Sequence, residues 1–143
     1  MQRCFYLAAI LLVMNTLLLA QKPGFQCRLI TLDPAHFHAA LVQKTAYPQV
    51  DNTVYVYAAE GSAGLKSHLS LVESYNTRSS APTAWKEEVY TGADFFEKML
   101  QEKKGNVVVL AGNNRSKADY ISKSIDAGLH VFADKPMAIN TAG

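Results

Sequence analysis

No disulfide framework holds this chain together. Its two cysteines are Cys4 and Cys27 in 143 residues, and Cys4 lies in a segment expected to be removed. Cys27 is then alone at the start of an apolar run, and reads as a buried structural thiol and not a nucleophile. Charge of one sign is lacking too. The formal net charge is +2, spread without clusters, so no nucleic-acid surface is expected. A hydrophobic share of 49% against 18% charged residues excludes a disordered chain. A bilayer-spanning run is also missing: residues 5–20, interrupted by Asn15 and Thr16, fall short of the roughly 20 apolar residues a membrane needs. With Arg3 before that run and the small Ala20 before Gln21, residues 1–20 read as an export signal. The mature protein is expected outside the cytoplasm, periplasmic or extracellular, with no stable membrane contact after cleavage. Residues 26–143 then make one domain of ordinary size.

What is present is an alternation of short apolar runs with amphipathic stretches. Residues 107–111, VVVLA, are too few for a buried helix and rich in β-branched side chains, so they read as an interior parallel strand. Gly112 breaks the run, Asn113 or Asn114 offers a helix cap, and Ala118, Ile121 and Ile125 share one helical face. Gly128 suits the left-handed position that closes such a helix. A second buried strand over 129–133 delivers Asp134, Lys135 and Pro136 at its carboxyl end. Upstream, residues 27–32 read as a first strand. Asp33-Pro34 follows as a helix start with Asp33 as the cap, and Phe37, Ala40 and Leu41 face inward. A strand over 54–58, a helix striped by Leu65, Leu69 and Val72, and a strand over 88–91 come next. Trp85 reads as a packing anchor. A helix over 91–104 turns Phe95, Phe96, Met99 and Leu100 inward and is closed by Gly105. Five strands separated by helices, with right-handed crossovers, predict an α/β fold: a doubly wound parallel sheet in the order 3-2-1-4-5 between two helical layers. The order reverses between the first and fourth strands. Residues 33–38 and 112–114 therefore face each other across a crevice, with Lys135 at the neighbouring strand end.

The run DAGLHVFADKPMAI at residues 126–139 resembles a segment of the glucose–fructose oxidoreductase / inositol dehydrogenase (Gfo/Idh/MocA-like) family, where it ends the fifth strand of a Rossmann domain. Asp134 stands where that family usually has glutamate; Lys135 and Pro136 match. The resemblance implies an oxidoreductase that uses NAD or NADP to oxidise or reduce a sugar or cyclitol by hydride transfer. It implies Lys135 as the catalytic residue, beside nicotinamide and substrate. Asp33, Phe37, His38, Glu60, Gly112, Asn113, Asn114, Asp134 and Pro136 are the implied cofactor contacts. It also implies a second, mostly antiparallel substrate domain beyond Ile139, so that this chain is a truncated amino-terminal half and any oligomer forms through the missing domain.

One departure bears on all of this. In a Rossmann domain the first strand-to-helix turn carries G-x-G-x-x-G, whose glycines admit the cofactor pyrophosphate. Here it reads Asp33-Pro34-Ala35-His36-Phe37-His38, with no glycine and with a carboxylate where phosphate sits. Weaker dinucleotide binding is expected, and a second class stays open: a non-catalytic sugar- or ligand-binding protein that keeps the fold without the cofactor. His36 and His38 are two apart, whereas histidines sharing a metal on one helix face stand three or four apart, so no metal is expected. One histidine pointing into the cleft to bind an anion or a sugar hydroxyl is the functional reading, and simple packing of His36 is the alternative. Glu60, just past the second strand, matches the acidic residue that holds an adenosine ribose. Lys117 reads as a solvated helix charge. Lys135 is expected to face the crevice as a cationic donor, next to a candidate cis bond to Pro136.

Overall fold

The computed structural model describes residues 26–139, so the expected signal segment at residues 1–20 lies outside the described residues. Strand β1 (Leu29–Leu32) is buried along its whole length and forms the middle of the molecule. It pairs in parallel with β2 (Thr53–Ala58) on one side and β4 (Val107–Leu110) on the other, placing Ile30 opposite Tyr55 and Val108. Beyond them lie β3 (Lys86–Thr91) and β5 (His130–Ala133), also parallel. The order β3-β2-β1-β4-β5 is the one expected. Successive side chains of a strand point to opposite faces, and the core divides accordingly. Leu29, Val54, Val56 and Val109 pack on one face with Ala40, Leu65, Val72 and Trp85. Ile30, Leu32, Val108 and Leu110 pack on the other with Phe96, Met99 and Tyr120. These faces are covered by α1 (His38–Leu41) with α2 (Ala63–Thr77), and by α3 (Phe95–Glu102) with α4 (Lys117–Asp126). Among the described residues no helix is long and apolar enough to cross a membrane.

Several local expectations fail for identifiable reasons. Asp33 caps no helix: α1 is a single turn that begins only at His38, preceded by Phe37 with no side-chain cap. Its buried residues are Ala39 and Ala40, while Phe37 and Leu41 are exposed. Neither Asn113 nor Asn114 caps α4, which starts after Ser116. The inward face of α4 carries Lys117, Tyr120 and Ser124, one position before the face expected, leaving Ile125 exposed. Gly128 does adopt the left-handed conformation, with φ 83°. For α3 that role falls to Lys103 at φ 45°. Gly105 instead admits β1, since a Cβ on it would lie 2.6 Å from the Arg28 carbonyl oxygen. The fifth strand is an edge and not an interior strand, with Phe132 largely exposed. Trp85 anchors as expected, its indole N–H donating to the Gln43 carbonyl at 2.6 Å. Cys27 is half-buried in an isolated bridge to Val50, and burial pushes its thiol up.

On the α3 side the buried Tyr57 hydroxyl donates to Glu102 Oε2 at 2.6 Å. Burial first, then this bond, pushes the phenol far above its ordinary value, and the same bond holds the Glu102 carboxyl below the usual carboxylate range. A depressed carboxyl contributes stability above its unfolded value and loses it as pH falls through the folded value. The raised phenol contributes below its ordinary value and loses that as pH rises through the folded one. Tyr57→Phe is therefore expected to lower the urea midpoint near neutral pH with unchanged slope. That difference should shrink once acid protonates Glu102, as a series of unfolding curves across pH would show.

Candidate functional site

The crevice forms where β1 and β4 diverge, and its floor is the turn at residues 33–37. Asp33 sits at φ 46°, its N–H donating to the Tyr57 carbonyl at 2.9 Å and its carboxylate accepting from the Asn113 side-chain amide. The amides of Ala35 and His36 both donate to the Ala111 carbonyl, each at 3.1 Å. Two glycines make this closure possible, and neither is in the turn. A Cβ on Gly64, at the start of α2, would lie 2.1 Å from the Pro34 carbonyl oxygen. One on Gly112, at φ 114°, would lie 2.5 Å from the Ala35 Cβ. Gly112 was expected to admit a ligand; what lies against it is Ala35. The turn is clamped between two glycine-bearing segments, and the Ala35 and His36 amides, of the kind that cradle a phosphate at such a turn, are bonded within the protein.

Polar groups gather instead where β5 ends. Asp134 Oδ1 accepts the Lys135 amide at 2.7 Å, which turns Oδ2 toward the first turn. There His38 Nδ1 lies 2.7 Å from Oδ2 and His36 Nδ1 lies 3.8 Å from it. The hydrogen bond to His38 holds the Asp134 carboxyl below the usual carboxylate range; the Lys135 amide and the charges of His38 and Lys117 add to this, and partial burial opposes it. His36, Gly112, Asn114, Asp134, Lys135 and Pro136 line a cleft of about 140 Å³. Asn114 Oδ1 is buried and without a hydrogen-bond partner. A larger groove of about 480 Å³ runs from Asp134 and Lys135 along β4 and β5 beneath His38, Leu41 and Tyr47.

Of the residues singled out in the sequence, the structure thus brings together His38, Gly112, Asn114, Asp134, Lys135 and Pro136, and adds His36. Asp33 and Asn113 tie the two loops to each other. Phe37 lines a separate hollow toward α2, and Glu60 is exposed in the turn past β2. The Lys135–Pro136 bond is cis. Lys135 borders the cleft but is exposed, not sheltered from bulk water, and its ammonium has no bond among the described residues. The buried lysine is Lys117, at 0% exposure, donating to the Asp134 carbonyl at 2.9 Å. Its expected place in solvent was wrong. A lysine opening a helix just after a central strand points back at the sheet edge, and its spacing of three from Tyr120 carried that signal. The helical-spacing rule also does not apply to His36 and His38, because His36 precedes α1.

Five parallel strands with a polar crevice at the reversal of strand order define a Rossmann-type ligand-binding domain. The chain belongs to the Gfo/Idh/MocA oxidoreductase family: the family described as "Oxidoreductase family, NAD-binding Rossmann fold" matches residues 55–143. That match starts inside β2, so β1 and the first turn lie outside it. A solved structure of a protein assigned as an oxidoreductase, from Parabacteroides merdae ATCC 43184, is 58% identical over 82% of this chain, with a TM-score of 0.80. This chain spans 27% of that protein's length. No curated protein matches the chain. The clamp yields a direct expectation. Gly64→Ala should destabilise the fold by about 1–3 kcal/mol, the usual cost of overpacking, measured by urea unfolding.

Proposed function

We propose that the protein is an exported oxidoreductase of this family acting on a sugar or cyclitol, with Lys135 donating to an oxygen of that substrate. The observation that carries the reading is the character of the cleft at the end of β5. Its lining is more polar than apolar, and combines a cation at Lys135 unbonded among the described residues, a buried acceptor at Asn114 Oδ1 and an imidazole at His36. Vicinal hydroxyls, each both donor and acceptor, satisfy such a set better than an apolar substrate does. Asp134, held ionised by His38 and by the Lys135 amide, keeps a negative charge beside the lysine. A cationic lysine donates; it does not abstract a proton. The substrate's remaining contacts belong to the rest of the protein, as does any oligomeric contact.

Family membership supports a nicotinamide cofactor. Glu60, exposed past β2, suits the ribose 2′-hydroxyl of NAD better than the 2′-phosphate of NADP. The closed first turn favours the second reading, a sugar-binding protein that keeps the fold without the cofactor. Titrating the full-length protein with NAD and NADP by calorimetry, alongside turnover assays on sugars and cyclitols, separates the two. The oxidoreductase reading expects measurable NAD binding, weaker than submicromolar, and turnover that Lys135→Met lowers by roughly a hundredfold or more while leaving the fold intact. Sugar binding with neither dinucleotide binding nor turnover establishes the second reading. Full turnover in Lys135→Met removes the lysine from the chemistry.

A further inference from the structure

The histidines of the first turn and the carboxylate of β5 meet at the end of the sheet. One ligand-type atom from each of His36, His38 and Asp134 lies within 4.8 Å of the other two. We propose that these three side chains bind a single divalent cation of the zinc class, with the remaining coordination position open to the cleft.

Four features support the assignment. Two imidazoles and one carboxylate are a donor set that borderline divalent metals accept, and three protein ligands with one open position is the arrangement of a catalytic and not a structural zinc. Metal–nitrogen and metal–oxygen bonds of about 2.0–2.2 Å in a tetrahedron set donor atoms roughly 3.3 Å apart. The observed separations from Asp134 Oδ2, 3.8 Å to His36 and 2.7 Å to His38, fall on either side of that value. No two donor atoms of the set are more than 4.8 Å apart. The supporting contacts are also in place. Asp134 Oδ1 is held by the Lys135 amide, and the buried Lys117 ammonium takes the Asp134 main-chain carbonyl, so Oδ2 is left to the histidines. Such outer contacts orient a ligand before the metal arrives. Finally, the turn that presents both histidines is rigid, because Ala111, Gly64 and Gly112 clamp it. Without metal, the His38–Asp134 hydrogen bond satisfies two of the three groups, and metal binding releases the proton that bond carries.

The cation would stand at the cleft lined by Gly112, Asn114 and Lys135. Its chemistry there is that of a Lewis acid toward a hydroxyl or carbonyl oxygen of a bound ligand. This does not depend on the proposed sugar substrate or on the cofactor.

The test is a calorimetric titration of the full-length protein with zinc chloride after chelator treatment, with cobalt(II) as a spectroscopic stand-in. One zinc per chain is expected at micromolar affinity or tighter, and cobalt should give visible absorption bands of a four- or five-coordinate nitrogen–oxygen site. His36→Gln is the informative variant, since that ring is half exposed and, among the described residues, its one polar contact is the 3.8 Å approach to Asp134. It should fold normally by circular dichroism, weaken zinc roughly tenfold or more and alter the cobalt spectrum, as should His38→Gln. Zinc binding far below one per chain overturns the proposal. So does unchanged affinity in both histidine variants, which would place any bound metal elsewhere.

Discussion

The carbonyl of Ala111 holds the first turn of this domain in place. It accepts from two successive amides, those of Ala35 and His36, and so joins the end of β4 to the turn after β1. In a dinucleotide-binding fold the pyrophosphate sits at the turn after the first strand. Here that turn touches the end of β4, and the neighbouring residues fit that contact. Gly64 and Gly112 give up side chains where the turn presses against them. Asp33 and Asn113, both in left-handed backbone, bond to each other across the same gap. An Asp at position 33 is unfavourable beside a phosphate and favourable opposite an amide, so the sequence change and the closed geometry are one fact seen twice.

The closure also determines where chemistry remains. With the turn held against β4, His36 and His38 are carried to the carboxyl end of β5 and meet Asp134. Lys117 is drawn beneath them, fully buried, with a main-chain carbonyl as its bonded partner. A buried ammonium is costly unless a carboxylate lies close by, and the ionised Asp134 supplies that charge. The polar cleft thus lies on the β5 side of the crevice.

Much of the architecture was legible in the sequence because parallel strands buried on both faces are written as short apolar runs. Those at residues 107–111 and 27–32 are hard to read otherwise. Lys135 and Pro136 were legible through their family motif. The turn chemistry was not. Asp33-Pro34 has the local pattern of a helix start, yet tertiary contact with Ala111 and Tyr57 draws the chain into a left-handed bend first. The same override misplaced the faces of α1 and α4, whose starts are set by those loops and not by capping residues. The meeting of His36, His38 and Asp134 spans 98 residues at its widest separation (134 minus 36) and depends on that bend, so no local pattern announces it. The glycines that make the turn possible lie in other segments, where a search for a glycine motif within the turn does not look.

Amide hydrogen exchange at Ala35 and His36 in the full-length protein tests the closed turn most directly, since a bonded amide exchanges only when its partner opens. Both amides should be strongly protected without ligand, and their protection should be unchanged when NAD is added. Rapid exchange of both without ligand, followed by protection on adding NAD, would contradict the account: it would mean that the turn is open and that the cofactor, not Ala111, is the partner of these amides.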